Sequence, residues 1–442
     1  MAYETLLGPT YLSGLAGETR LGIGLLAALS ALPLIGSAGQ TLGVWIFQRY
    51  SSNKKICLAL AIAARTLWLI PLGAAGYWGW RALTGPNPFP QTQWFILTAV
   101  TATLISLVSM SSVMAWMSWT QRLVPEKFHG RFFGTRQRFN MIGILVANLL
   151  GVLAVGWKPN GVFAGYGLLA VAAVVAATIS TFLLWKTPET TRSEPQLSKP
   201  HAEIRRKRVS PKVFLKPLQD KKFRKILIYG AATNGAIMLA GPYFPYYFTK
   251  ELQIPMSSVA FWSAMTNLGC FFAATYWGKL IDRIADPKFI LRVTGLMFAI
   301  SPLPYILTST RILSWVGPIE YFINGFAHSG YMLTLITILY RFAPKTPLDS
   351  SGRIPDGGID MSAVYFSVYT AAVGLAGALC TFLGGMLAEL LTPWGGFRAL
   401  WIIAACVRAA VVLLLLKNIP KWPSRSRRTQ LRGILQTPAP AI

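Results

Sequence analysis

Gly278-Lys279-Leu280-Ile281-Asp282-Arg283 closes an apolar block that opens near residue 259, and Lys288 and Arg292 follow before the next block begins. About twenty apolar residues at 1.5 Å each span a hydrocarbon core of about 30 Å. Outward from this stretch, apolar block and basic loop alternate along the chain. Blocks fall at residues 21–47, 56–80, 94–119, 139–157 and 163–185, then at 226–248, 259–281, 289–308, 312–340, 361–391 and 397–416. Between the two groups, residues 186–225 hold 13 Lys or Arg, including Arg205-Arg206-Lys207-Arg208. That stretch cannot bury a core and reads as a solvated linker, with a short interfacial helix expected around Pro211 to Asp220. The fold class is an all-α polytopic membrane protein.

Composition agrees. Of 442 residues, 53% are apolar and 13% charged, against about 25% charged in a soluble domain. The block distribution excludes an ordinary soluble enzyme and a disordered chain. Porin-like strands would alternate polar and apolar over about ten residues, and they do not appear here. Cys57, Cys270, Cys380 and Cys406 lie in apolar segments without a CxxC pair, so neither a disulfide framework nor a zinc site is expected.

The net charge of +27 invites a nucleic-acid reading, but its distribution favours topology. Alternate loops, with the linker and tail, hold 34 Lys or Arg. The opposite loops hold six: Arg20, Arg81, Lys158, Lys250, Arg311 and Arg398. Positive charge stays inside, so the linker and the basic tail after Lys417 are expected in the cytoplasm. No nucleic-acid partner is expected.

The two groups repeat. Gly43, Phe47 and Lys54-Lys55 follow the second span of the first half, as Gly278, Asp282-Arg283 and Lys288 follow the second span of the other. Leu123-Val124-Pro125-Glu126-Lys127 matches Phe342-Ala343-Pro344-Lys345, each after a fourth span. Both matches lie on the linker side, so the repeat is parallel, about an axis along the membrane normal.

The motif Gly278-Lys279-Leu280-Ile281-Asp282-Arg283, with Lys288 and Arg292, resembles the signature of the major facilitator superfamily between its eighth and ninth helices. The first-half copy has Phe47 where the acid belongs. The stretch from Trp119-Thr120-Gln121-Arg122 through Gly130-Arg131-Phe132-Phe133-Gly134 is similar to one bacterial branch of that family. The resemblance implies two pseudo-symmetric six-helix bundles, with helices 1, 4, 7 and 10 lining a central site. It also implies alternating access in the bacterial inner membrane. The expected organisation is an N-terminal bundle at 1–185, a linker at 186–222, a C-terminal bundle at 223–417 and a tail at 418–442. Only five clear spans precede the linker. Residues 2–17 would supply a short first helix of roughly 24 Å, containing Glu4 and Pro9 and lacking a signal-peptide pattern. Either Met1 lies inside a longer helix, or this is a true half-helix.

Several polar residues inside the spans are candidates for substrate or proton handling. Glu320, Asn324 and His328 are spaced i, i+4, i+8 and share one helix face, continued by Tyr331. An intramembrane carboxylate is costly unless paired or wet; the alternative is a surface-lying Glu320 and a His328 that bonds a neighbouring helix. Arg65 could pair with Glu4, bind an anionic substrate group or form an ion pair within its half. Arg408 is expected to snorkel to the cytoplasmic end. Asn234 precedes Gly241-Pro242-Tyr243-Phe244-Pro245-Tyr246-Tyr247, whose prolines should break the span. Tyr243 is expected at a gate or upper site and Tyr247 in an aromatic belt. Asn267 is a further cavity candidate. Met110, Met114 and Met117 are read as packing, as are Gly39, Gly43, Gly143 and Gly151.

The resemblance also suggests a gate, in which Asp282 and Arg283 after Gly278 meet the start of the fifth helix near Gly130, Arg131 and Arg136. An acid at a helix C-terminus is unfavourable, whereas a helix N-terminus and an arginine would hold it.

Leu21-Gly22-Ile23-Gly24 lacks the βαβ unit of a dinucleotide site. No Walker lysine or HExxH appears, so neither an enzyme nor a cofactor is expected. The expected function is secondary active transport of a small organic solute, with protons as the candidate coupling ion and a monomeric assembly in the lipid bilayer. The alternatives are a non-transporting sensor or assembly protein and a lipid flippase on the same fold.

Overall fold

The computed structural model describes residues 5–6, 9–49, 53–84, 90–123, 129–156, 162–187, 211–283, 286, 288–307, 310–344 and 361–420. Among these residues the regular structure is helical, without strands. Among the described residues nine stretches are long and apolar enough to cross a membrane, the first Ile23–Ile46 and the last Phe397–Asn418.

The first half contains α1 (Pro9–Glu18), α2 (Ile23–Ile35) and α3 (Gly39–Arg49), the latter two joined by a 3-10 turn at Gly36–Ala38. It continues with α4 (Asn53–Leu67), α5 (Leu69–Thr84), α6 (Gln91–Leu123), α7 (His129–Gly156) and α8 (Val162–Lys186). The linker's expected helix is present as a 3-10 turn at Pro211–Leu215 and α9 (Lys216–Gln219). The second half holds α10 (Lys221–Met238), α11 (Phe244–Lys250), α12 (Met256–Arg283), α13 (Lys288–Ile300) and α14 (Pro304–Leu307). It ends with α15 (Thr310–Phe342), α16 (Met361–Leu390) and α17 (Phe397–Leu415). Asp220 caps α10, its carboxylate accepting from the amides of Lys222 at 2.8 Å and Phe223 at 3.3 Å.

Proline places the breaks. A proline at position i removes the amide that would bond the carbonyl at i−4. Accordingly α4 ends at Leu67, four residues before Pro71; α10 ends at Met238, four before Pro242; and α13 ends at Ile300, four before Pro304. The expected span at 226–248 is therefore two helices, α10 and α11, while that at 259–281 lies within continuous α12. Pro33 and Pro318 are carried inside α2 and α15.

The halves meet along three helix pairs: α1 with α11, α2–α3 with α16, and α7 with α12. Small residues permit the close approaches. A side-chain carbon added at Gly374 would stand 1.8 Å from Ser37 Oγ, and one at Gly17 would stand 2.0 Å from Thr249 Oγ1. Within the halves, Gly39 and Gly43 bring α3 against the α6 backbone at Leu107 and Ser111, in keeping with their reading as packing residues.

The α1–α11 contact lies on the face opposite the linker, here called the far face. Tyr246 donates to the Leu21 carbonyl there, and Thr249, whose hydroxyl bonds Pro245 of its own helix at 2.9 Å, lies 3.5 Å from the Gly14 carbonyl. Tyr247, Phe248, Trp262, Tyr305, Phe397 and Trp401 pack beneath it in one buried aromatic cluster. Tyr247 thus belongs to the interior. Its expected place in an interfacial belt is corrected: the α11 helix turns its ring between Phe397 and Trp401.

Candidate functional site

The site grows from the carbonyls that the helix breaks set free. In the bilayer each such group needs a partner from protein or water. Pro302 cannot donate to Phe298, and Pro242 cannot donate to Met238. Ala236 and Ile237 lie in the last turn of α10, where carbonyls lack intrahelical donors.

Side chains supply what the backbone does not. Arg408, midway along α17, donates from Nη1 to the Phe298 carbonyl at 2.9 Å. Its Nε and Nη2 donate to the Ala236 and Ile237 carbonyls, each at 3.1 Å. Thr381 Oγ1 of α16 lies 3.3 Å from the Met238 carbonyl, with its one proton shared with the nearer Gly377 carbonyl of its own helix at 2.9 Å. The snorkelling expected of Arg408 is therefore corrected. Its guanidinium is buried and bridges the ends of two broken spans. It also stands at the negative dipole end of α10, where a cation is favoured.

Glu320 supplies the opposite charge within the same bundle. It is buried. Its carboxylate accepts from the Tyr305 hydroxyl, and from Asn324 Nδ2 at 3.4 Å. Asn324 Nδ2 also donates to Ser301 Oγ at 3.1 Å, in the turn between α13 and α14. The pair Glu320 and Asn324 on α15 therefore faces the second broken span. His328, two turns beyond Glu320 along the same face, is exposed, with its ring 6.5 Å from Phe298. Tyr331 packs against the same Phe298 ring at 5.8 Å.

The other candidates lie apart. Asn234 donates to the Val373 carbonyl of α16 at 2.9 Å, and Tyr243 to the Thr381 carbonyl at 2.5 Å, both tying α10 and its continuation to α16. Asn267 donates to Ser263 of its own helix at 3.0 Å. Arg65 donates to the Thr181 hydroxyl and to Ser180 Oγ at 3.0 Å, which joins α4 to α8 within the first half. Glu4, one partner considered for it, lies outside the described residues.

Gly130 and Arg131 fall in the first turn of α7, while Asp282 and Arg283 fall in the last turn of α12. These helices pack together. The side chains of Arg131, Asp282 and Arg283 lie outside the described residues. Gly278 has no atom within 4 Å of the position a Cβ would take. Arg136 is half-buried and stacks 4.0 Å above the Trp116 ring of α6.

Sequence reasoning passed over Ser301, Tyr305 and Thr381 and misplaced Arg408. The available signal was the proline spacing: Pro242 and Pro302 each specify an orphaned carbonyl four residues back, and each requires a donor.

Comparison with known proteins settles the family. The family model for the Major Facilitator Superfamily matches residues 2–354. The chain belongs to the major facilitator superfamily. Membership makes this facilitator a multi-pass membrane protein of a transporter family. No curated protein sequence matches it. Solved structures of similar fold include the nucleoside transporter NupG, at 11% identity and a TM-score of 0.63, covering 94% of this chain and 96% of that one. A bacterial homologue of the human lysosomal transporter Spinster, inward-facing and unoccupied, has 14% identity, a TM-score of 0.65 and 96% coverage of both chains. The xylose transporter XylE from E. coli, partially occluded and inward open, has 15% identity, a TM-score of 0.64 and 96% coverage of both. At these identities the likeness is one of fold. In this facilitator, the three helix pairs between the halves join the family's two bundles, and Arg408 and Glu320, each with its own partners, lie inside the second.

Proposed function

We propose that this facilitator is a secondary active transporter. It moves a small organic solute across the bacterial inner membrane by alternating access, with the proton as coupling ion and Glu320 as its acceptor. The observation that carries the reading is a carboxylate inside a span, held by the neutral donors Tyr305 and Asn324 beside the break between α13 and α14. An ionisable group in that position marks a substrate or ion pathway, and broken spans in transporters carry their binding groups at the break. The linker and tail face the cytoplasm in this reading, because 34 basic residues lie on that side against six on the other.

Proteoliposomes test it. Counterflow is measured against a panel of nucleosides, pentoses and other small polar solutes, followed by uptake driven by an imposed pH gradient. Glu320→Gln is expected to keep counterflow and lose gradient-driven accumulation. A wild-type protein that exchanges no solute in the panel and moves no protons would count against the reading.

A further inference from the structure

Among the described residues, Gly165–Lys186 of α8 is the least buried of the nine candidate spans. Between its linker-side half and the start of α7 lies a groove of about 640 Å³, lined by Arg136, Ala176, Ile179, Ser180, Leu183 and Thr187 among others. Ile179 and Leu183 are exposed, so the groove opens toward the bilayer. Its walls are graded from one end to the other. Thr187 follows the last turn of α8, and Arg136 stands just ahead of the span Phe139–Gly156, so both lie at headgroup depth. Ser180 comes next, and Ile179 and Ala176 continue inward. From Thr187 to Ala176 the groove follows α8 for about 16 Å at 1.5 Å per residue.

The polar groups at the outer end are set up as donors. The Arg136 guanidinium stacks 4.0 Å above the Trp116 ring. Stacking occupies the face of the planar group, while its N–H donors lie in the plane and reach out at the edge. Burial lowers its pKa, and no carboxylate among the described residues offsets that. Acids are scarce throughout this half, with Glu4, Glu18 and Glu126 the three in residues 1–185. A partly buried cation without a counter-charge favours an anion from outside the protein. Ser180 Oγ accepts from Arg65 Nη2 at 3.0 Å, which leaves its own proton to donate. Thr187 gives its proton to the Leu183 carbonyl at 2.9 Å.

We propose that this groove seats an anionic phospholipid of the linker-side leaflet. The phosphate takes charge-assisted hydrogen bonds from Arg136, a glycerol-ester carbonyl accepts from Ser180, and an acyl chain follows Leu183, Ile179 and Ala176 toward the bilayer centre. The complementarity is of charge at one end and of apolar surface along the rest, as in basic pockets between spans that take anionic headgroups. Every lining residue belongs to the first half, so the lipid sits apart from Glu320 and from the seam between the halves. It is a resident ligand rather than cargo, and it ties α8 to α7 where α8 rests on little protein. Arg136 is thereby assigned to the lipid, which leaves Arg131 for the linker-side latch.

Native mass spectrometry of delipidated full-length protein in detergent tests it, with phosphatidylglycerol, phosphatidylcholine and inorganic phosphate as probes. Phosphatidylglycerol is expected to bind about fivefold more tightly than phosphatidylcholine, the effect of one cation near a membrane surface. Arg136→Gln is expected to bring that ratio to about one, and Arg136→Lys to keep part of it. Ile179→Trp, at an exposed position, fills the groove while keeping the arginine, and is expected to weaken phosphatidylglycerol binding about as much as Arg136→Gln does. Arg311→Gln removes an exposed cation on the far face and should leave the ratio unchanged. Equal affinity for the two lipids in the wild type overturns the proposal, and so does an undiminished preference in Arg136→Gln. Inorganic phosphate that displaces phosphatidylglycerol would make the groove a simple anion site and overturn it too. A dimer that dissociates on Ile179→Trp would give the groove to a second copy of the chain, with the same consequence.

Discussion

The Arg408 guanidinium donates to the Phe298 carbonyl at 2.9 Å, and that carbonyl is the acceptor that Pro302 leaves without an amide. The second-half bundle is thus stapled through its side chains at the points where its backbone is interrupted. The energetic weight of the bundle should concentrate there.

Arg408→Lys tests that weight. A single ammonium cannot hold three carbonyls in the planar fork of a guanidinium. Loss of two charged hydrogen bonds at about 1.5–3 kcal/mol each predicts destabilisation by roughly 3–6 kcal/mol. A large fall in the thermal midpoint of detergent-purified protein is expected, and a midpoint within a degree or two of wild type would contradict the staple.

Gly17→Ala tests the far-face contact. The added carbon would meet Thr249 Oγ1 at 2.0 Å and the Tyr246 carbonyl at 3.1 Å, so α1 and α11 must move apart. The expected outcome is faster labelling, from the far face, of a cysteine placed at Ser13, which is buried beside the contact. Equal labelling rates in wild type and variant would count against a closed far face.

Asp282→Asn tests the linker-side latch expected from the sequence. An ionised hydrogen-bond cluster is worth about 1.5–3 kcal/mol, so its loss should shift a two-state balance roughly 10- to 150-fold toward an open linker side. Phe47→Ala should shift it less, since that position lacks the acid. Spin labels on the linker-side ends of α7 and α12 provide the measurement; identical distance distributions in a protein shown to alternate would remove the latch.

Orientation is open to direct chemistry. A membrane-impermeant thiol reagent added outside whole cells should label Thr84→Cys and miss Ser210→Cys, as the charge count requires. The opposite pattern would invert the topology and with it the reading of both gates.

The spans were legible because both signals are local. Twenty apolar residues announce a crossing, and clustered lysine and arginine announce a side. One break was legible too, since Pro242 in the sequence marks the end of α10 directly, whereas the breaks within 56–80 and 289–308 were read through as single spans. The face shared by Glu320 and Asn324 followed from helical spacing alone. What faced it did not, because Ser301 and Tyr305 reach it from a different span. Arg408 was misread for the same reason. Its place along one helix says nothing of the carbonyls that Pro242 and Pro302 expose on two others. Tyr247 sits in an aromatic run that resembles a belt, and only the turn of α11 brings it between Phe397 and Trp401.

The placement of Arg408 also bears on biogenesis. Helix α17 is the last of the candidate spans in chain order and the most apolar of them. An arginine at the centre of an inserting helix costs about 2.5–3.5 kcal/mol, while each leucine, isoleucine or valine contributes about 0.3–0.6 in favour. The run Val411-Val412-Leu413-Leu414-Leu415-Leu416 therefore lets the segment leave the translocon before its acceptors on α10 and α13 are in reach. Until it docks, the carbonyls of Ala236, Ile237 and Phe298 lack the donor that Arg408 brings. A nascent chain cut before Phe397 should be recognised by membrane quality control as unfinished, even though every preceding span has been inserted.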